Sequence, residues 1–335
     1  MELALWIFLL IVGLALLIKG ADWFVDGSAG IAKKCKIPPL VIGLTVVAFG
    51  TSAPELCVSV ASAIGHSTDI AIGNVLGSNI LNILLILGLA ALFHNLPVKR
   101  ESLVLDIPVL LVVSGLLVGL GIWGGALEWW DGLIFLVIFI GYTGFLVYKA
   151  KKSMKAAPSE LPEAEPEAEP PKGKLGAWYA GMKEKLWFLI VLAVVGLGMV
   201  VGGGTLLVES AKFIAGYFGM PERIIALTVV AIGTSLPELV TSVVAARKGE
   251  TDIAVGNVIG SNIFNILLVA GVSSLVYPLP FSIETNLVDA LVALGAVLIL
   301  YFVALVSKKK QIGKIGGAVM LACFVGYYVY LFVTL

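Results

Sequence analysis

The sequence predicts an all-α integral membrane protein in which ten transmembrane helices form two inverted five-helix repeats. Three observations carry that expectation. Of 335 residues, 59% are hydrophobic and only 13% are charged, a composition foreign to water-soluble domains. The apolar residues fall into ten stretches, each close to the roughly 20 residues a helix needs to cross a hydrocarbon core about 30 Å thick. Two polar motifs embedded in those stretches occur twice, at one constant offset.

The first five stretches cover residues 3–31, 38–64, 70–92, 103–122 and 128–148. The first begins almost at Met1, lacks a basic n-region and runs into more apolar sequence, so it reads as a span and not as a cleaved signal peptide. Residues 149–186 differ. Lys149, Lys151, Lys152 and Lys155 precede a run of proline and glutamate from Pro158 to Pro171. Such a segment cannot bury enough apolar area to fold and is expected to be a solvated linker. The last five stretches cover 187–218, 222–246, 252–274, 285–306 and 314–334. Residues 1–148 and 187–335 are therefore expected to be the two repeats.

Loop charge sets the expected orientation. Lys33, Lys34, Lys36, Lys99, Arg100, the linker lysines, Arg247, Lys248, Lys308, Lys309, Lys310 and Lys314 all fall on one side of a ten-span topology, leaving only three of the 22 basic residues elsewhere. By the positive-inside rule that side is cytoplasmic, so both termini lie outside and the linker inside. Trp6, Trp123, Trp129, Trp130 and Trp187 near span ends fit the interfacial aromatic belt. Acidic and basic residues balance at 22 each, which excludes a basic nucleic-acid binder. Cys35, Cys57 and Cys323 have no metal-ligand spacing and are read as small apolar fillers.

The halves repeat each other. Gly50-Thr51-Ser52-Ala53-Pro54-Glu55-Leu56 recurs as Gly233-Thr234-Ser235-Leu236-Pro237-Glu238-Leu239, and Gly73-Asn74-Val75-Leu76-Gly77-Ser78-Asn79-Ile80-Leu81-Asn82 recurs as Gly256-Asn257-Val258-Ile259-Gly260-Ser261-Asn262-Ile263-Phe264-Asn265. An odd number of spans per half makes the second copy enter the bilayer from the opposite side. Inverted copies of this kind build many secondary transporters, with the binding site at the midplane where they meet.

Glu55 and Glu238 lie deep in the second and seventh spans. A carboxylate there costs several kcal/mol unless it is protonated, paired or bound to a cation. Lys19 and Lys212 have Asp22 and Glu209 three residues away, so local pairing accounts for them. Asp69 and Asp252 fall at loop-to-span junctions and are expected to cap helices. The prolines before the two glutamates remove an amide hydrogen and free carbonyls, which are good ligands for hard cations. The hydroxyls of Thr51, Ser52, Thr234 and Ser235 add neutral oxygens. Ser78 with Asn82, and Ser261 with Asn265, share a helix face. Gly73, Gly77, Gly256 and Gly260 offer strips for close helix packing. Together these residues make an all-oxygen cage suited to Ca²⁺ and Na⁺ and not to zinc or copper.

The paired G-T-S-x-P-E and G-N-x-x-G-S-N segments resemble the two alpha repeats of the calcium/cation antiporter superfamily, in its sodium/calcium exchanger branch of prokaryotic type. The resemblance spans essentially the whole chain. It implies a non-enzymatic antiporter that exchanges Ca²⁺ for more than one Na⁺ by alternating access, with the long first and sixth helices sliding over the core. It also implies ligand roles. Glu55 and Glu238 are the central ligands, and the carbonyls of Thr51 and Thr234 complete the calcium site. Ala48, Ser52, Ser78, Ala231, Ser235 and Ser261 contribute to flanking sodium sites, and Asn82 and Asn265 complete the middle. Many exchangers carry Asp where this chain has Asn265, which leaves two core carboxylates and argues against potassium co-transport.

Three other readings compete. A proton-coupled Ca²⁺ antiporter would use the same glutamates, though that branch has G-N-x-x-E where this chain has Gly77. A cation channel wants a continuous pore of weak sites, whereas these ligands cluster at one depth. An intramembrane hydrolase lacks a base, because His66 and His94 sit at span ends. The expected partners are the lipid bilayer and the transported cations, with no obligatory protein partner. With no organelle signal and no room in the linker for a folded regulatory domain, a prokaryotic plasma membrane is the expected location.

Overall fold

The computed structural model describes residues 2–156, 181–219, 231–284 and 286–334. In the first half the helices are α1 (Glu2–Cys35), α2 (Pro39–Thr51), α3 (Ala53–Ile64), α4 (Thr68–Phe93), α5 (Ser102–Gly124) and α6 (Trp129–Ala156). In the second they are α7 (Leu186–Tyr217), α8 (Ala231–Thr234), α9 (Leu236–Arg247), α10 (Thr251–Val276), α11 (Asn286–Val306) and α12 (Lys314–Thr334). Among the described residues eight helices are long and apolar enough to cross a membrane, and α2 with α3 makes a ninth span bent by 45°. The expected seventh span begins at residue 222, and its first part lies outside the described residues, as do linker residues 157–180. The fifth span runs eight residues beyond its expected end, to Ala156, because lysines at helix ends continue a helix into water without breaking it.

Helices α1 and α7 pack along their full length. At 34 and 32 residues they are about 50 Å long at 1.5 Å per residue, so they must tilt across a core of about 30 Å. Their seam is made of glycine. A Cβ on Gly196 would lie 2.5 Å from the Phe24 nitrogen, one on Gly20 2.8 Å from the Gly196 carbonyl, and one on Gly203 2.7 Å from the Leu17 nitrogen. The glycines recur every seven residues, at Gly13, Gly20 and Gly27 against Gly203, Gly196 and Ala193, so the two helices run antiparallel. Small residues of this kind drive helix association in lipid, where backbones gain contact by close approach. Gly196→Val should therefore lower stability by about 1–3 kcal/mol through overpacking, seen as a lower melting temperature in detergent; an unchanged value would mean that the seam opens freely.

Because α1 and α7 are equivalent segments of the two halves, their antiparallel run is the inversion made visible. Four two-residue strands repeat it: Leu96–Pro97 (β1), Ala126–Leu127 (β2), Leu279–Pro280 (β3) and Gln311–Ile312 (β4). β1 pairs with β4 and β2 with β3, so each half contributes its early strand to the late strand of the other. Likewise α4 packs on α12, and α10 on α6.

The centre is held by α4 and α10. Their most apolar windows are 78% and 94% buried within the protein, against 39% or less for the other six single-helix spans. The glycines explain part of this, since Cβ atoms on Gly256 and Gly260 would meet the Leu40 carbonyl at 2.8 Å and the Ala48 side chain at 2.7 Å. For the strip expected at Gly73 and Gly77, a Cβ at either position meets no atom within 4 Å among the described residues. Farther out, two staples also obey the repeat: the Tyr142 hydroxyl donates to buried Asp106 at 3.2 Å and the Tyr327 hydroxyl to half-buried Asp289 at 2.8 Å.

The expected caps at Asp69 and Asp252 are not made. The helices start at Thr68 and Thr251, which puts both aspartates inside the first turn, favourable to the helix dipole but unable to close over the first amides. Asp252 instead pairs with Lys99 at 2.6 Å. The expected local pairs hold, Lys19 with Asp22 at 3.2 Å and Lys212 with Glu209 at 2.7 Å. Trp123, Trp129, Trp130 and Trp187 are exposed, while Trp6 stacks on Phe213. All three cysteines are free, and Cys57 is exposed where a filler was expected.

Candidate functional site

Each glutamate sits just after a break in its span. Pro54 and Pro237 occupy the first turn of α3 and α9, where a missing N–H costs the new helix nothing but deprives the preceding helix of a donor. The residues at the breaks have nearly identical backbones, Ser52 with φ −83 and ψ 6 and Ser235 with φ −88 and ψ 5. The span restarts at an angle, and Glu55 and Glu238 fall in the first turn of the restarted helices, both fully buried. The positive end of the helix dipole favours a carboxylate there.

The two breaks meet across the repeat interface. The Ser52 hydroxyl donates to Glu238 Oε1 at 2.8 Å, and the Ser235 hydroxyl to Glu55 Oε1 at 3.2 Å. Each serine thus serves the acid of the other half, which is possible only if the acids face one another. Ser261 donates to Glu238 Oε1 at 3.4 Å, and Ser235 lies 3.1 Å from Ser78. Among the described residues, Glu55 Oε2, Glu238 Oε2, Asn82 Oδ1 and Asn265 Oδ1 are buried without partners. They form two pairs under the repeat. Helix α9 packs against the α4 turn that carries Asn82, and α3 against the α10 turn that carries Asn265.

Those turns are wider than α-helix. Leu81–Leu87 and Asn265–Ala270 are π-helical, a distortion that often marks functional positions. Gly43–Val47 in α2 is another. Nothing in the residue pattern announces them.

Thr51 and Thr234 sit at the ends of α2 and α8, each directed at an asparagine of the other half. The Thr51 hydroxyl lies 3.1 Å from Asn257 Oδ1 and that of Thr234 3.2 Å from Asn74 Oδ1. The same asparagines hold their own repeat, Asn74 to Ser59 and Asn257 to Ser242, each at 2.9 Å. Asn74 and Asn257, absent from the expected ligand set, are thus struts of the site; their recurrence at the repeat offset was the available signal. Ala48 is fully buried one turn before Thr51. Ala231 opens α8, and its side chain is outside the described residues. A cavity of about 20 Å³ lies against Ser52 between Phe49 and Phe264, room for about one water.

A second polar cluster lies away from this centre. Lys248, just past α9, reaches Asp22 at 2.9 Å and Asp26 at 2.6 Å on α1, and Lys183 also pairs with Asp26 at 2.6 Å. Partial burial pulls the Lys248 ammonium down, but the hydrogen bonds and charges of Asp26 and Asp22 outweigh it and hold its pKa above the ordinary lysine value.

The chain matches the sodium/calcium exchanger protein family over residues 5–148 and 188–333. It is 40% identical to the putative antiporter CaxA of Alkalimonas amylolytica, over 96% of this chain and 97% of that protein. It is also 40% identical to the inner membrane protein YrbG of Escherichia coli, over 81% of this chain and 79% of that one. The solved structure of the sodium-calcium exchanger NCX_Mj soaked with Na⁺ and Ca²⁺ superposes with a TM-score of 0.81 at 34% identity, covering 97% of this chain and 98% of the other.

Proposed function

Because this chain belongs to the sodium/calcium exchanger protein family, we propose that it moves Ca²⁺ and Na⁺ in opposite directions through one midplane site centred on Glu55 and Glu238. The observation that carries the site is the set of four buried oxygens on Glu55, Glu238, Asn82 and Asn265 that have no partner among the described residues. Buried acceptors without donors are costly, and a dehydrated cation satisfies them. Ca²⁺ takes 6–8 oxygens at roughly 2.3–2.6 Å; the carbonyls of Thr51 and Thr234 would complete its shell. Na⁺ accepts the same neutral oxygens, and Ser52, Ser78, Ser235 and Ser261, with the carbonyls of Ala48 and Ala231, would hold it on either flank. Since Asn265 is neutral, two carboxylates balance one Ca²⁺.

Competition follows from charge. Binding Ca²⁺ neutralises both acids, so Na⁺ binds only after Ca²⁺ leaves. The two-fold relation between the halves then supplies alternating access, since exchanging the two repeats' conformations turns a site open to one side into one open to the other.

The antiparallel pair α1 and α7 would slide as the gate. On the face that the lysine bias makes cytoplasmic, the bonds from Lys248 to Asp22 and Asp26 fasten α1 to the core. Lys248→Met should loosen that face about threefold or more, since it removes two partly exposed ion pairs each worth a few tenths of a kcal/mol. The measurement is faster amide exchange at the Arg247 end of α9 with the outer ends unchanged. A raised lysine pKa keeps this stabilisation present below the ordinary lysine value and loses it only as pH rises through the folded value, so the fastening should hold throughout the neutral range.

This is a multi-pass membrane protein. We assign it to a prokaryotic plasma membrane with both termini outside and residues 149–186 in the cytoplasm, supported by the lysine bias and by the likeness to an inner membrane protein. The deciding experiment is ⁴⁵Ca²⁺ uptake into proteoliposomes under imposed Na⁺, K⁺ or H⁺ gradients. Uptake that requires an opposing Na⁺ gradient is expected. Uptake driven only by H⁺ would replace the coupling ion, and uptake with no gradient would indicate a channel.

A further inference from the structure

Many hydrogen bonds around the centre obey the two-fold relation. Ser261 on Glu238 and Ser235 on Ser78 have no mirror contact among the described residues, and the asparagines beside them depart from the relation in a way that reaches across the interface. Asn79 and Asn262 are repeat equivalents, both buried, but they are bonded differently. Asn79 reaches across the interface: its Nδ2 donates to the Asn262 carbonyl at 3.4 Å, and its Oδ1 accepts from Asn265 Nδ2 at 3.2 Å. Asn262 folds back on its own helix, donating to the Val258 carbonyl at 2.7 Å. Its Oδ1 has no partner among the described residues, and neither has Asn82 Nδ2.

Those two orphans are a donor and an acceptor, and they are the mirror images of the pair that is bonded, Asn265 Nδ2 with Asn79 Oδ1. Applying the two-fold to the observed pattern generates the complementary one. Asn82 would donate to Asn262, Asn262 would donate to the Asn79 carbonyl, and Asn79 would fold back to the Val75 carbonyl. An inverted-repeat transporter passes between two conformations related by that exchange. We propose that Asn79 and Asn262 are positioning residues of the transport cycle: each reaches across to the other repeat in only one of the two access states, and the unpartnered Asn82 Nδ2 and Asn262 Oδ1 are the bond of the other state, left open in this one. The two asparagines act through Asn265 and Asn82, whose amide oxygens they leave turned toward the cation.

This rests on the exchanger reading for its cycle but not for its test. In a background lacking Cys35, Cys57 and Cys323, nitroxide pairs at Leu5 with Ser67 and at Lys33 with Arg100 report the two faces as distance distributions, with no ion flux required. Asn79→Ala removes two cross-repeat bonds in the state described here and one fold-back bond in its mirror. Asn262→Ala removes one fold-back bond here and two cross-repeat bonds in the mirror, so the net difference is one bond in opposite directions. The first should reduce the ratio of this state to its mirror about fivefold and the second should raise it about fivefold, as for one buried hydrogen bond. The double variant should return near the starting ratio. Asn79→Ser and Asn262→Ser should shift the ratio in the same opposed directions, and they serve if the alanine variants fail to fold. Shifts in the same direction, or none, overturn the proposal. Opposed shifts in a protein that shows no Na⁺-dependent Ca²⁺ uptake would keep the toggle and remove the coupling ion.

Discussion

Glu55→Gln and Glu238→Gln should each reduce Na⁺-dependent Ca²⁺ uptake at least a hundredfold while leaving the protein folded. The amide keeps the size of the side chain and an oxygen that can accept the hydroxyl of Ser235 or Ser52, so packing survives. What disappears is one of two negative charges in a site with no buried base among its described neighbours. Losing one charge-assisted contact to a divalent ion in a water-poor interior costs about 3 kcal/mol or more, which is a factor of over 100 in affinity. Removal of either acid should be nearly as damaging as removal of both, because a single carboxylate cannot neutralise Ca²⁺. Initial uptake rates against external Ca²⁺, with thermal unfolding in detergent as the control, check this. Undiminished uptake in both variants would dismiss the site.

Pro54→Ala and Pro237→Ala should slow exchange by about tenfold or more without loss of fold. Alanine restores an N–H that can bond the carbonyl of Gly50 or Gly233, and interior helical positions favour alanine over proline by about 3 kcal/mol. That energy favours straightening a span now bent by 45° at Ser52. Straightening would swing Glu55 away from Ser235 and part the two acids. The expected signature is weaker Ca²⁺ affinity with equal or higher melting temperature, opposite to the behaviour of a damaged core. Unchanged affinity would mean that the cross-repeat bonds alone hold the bend.

The span pattern was readable from hydropathy because lipid permits few solutions. Helix ends at Cys35, Phe93, Gly124 and Val306 lie within four residues of the expected ends, since each apolar run must bond its own backbone internally. The pairing of Glu55 with Glu238 was readable for a different reason. Two motifs repeated across an odd number of spans have one symmetric way to meet, and Ser52 on Glu238 with Ser235 on Glu55 is that way.

The glycine seam of α1 and α7, the tyrosine staples at Asp106 and Asp289 and the Lys248 cluster were not readable. Each joins residues whose one-dimensional neighbours look ordinary. Lys248 stands 222 residues from Asp26, and nothing local ties them.

Composition, hydropathy and an offset of 183 residues between equivalent positions were sufficient for a membrane transporter with two opposed acids, because burial of charge in lipid tolerates few explanations. Three-dimensional packing was needed to reveal the widened turns at Asn82 and Asn265, the struts Asn74 and Asn257, and the unequal bonding of Asn79 and Asn262. Those features depend on which backbone and side-chain groups find partners across the interface, and a linear order of residues does not encode that before the halves have met.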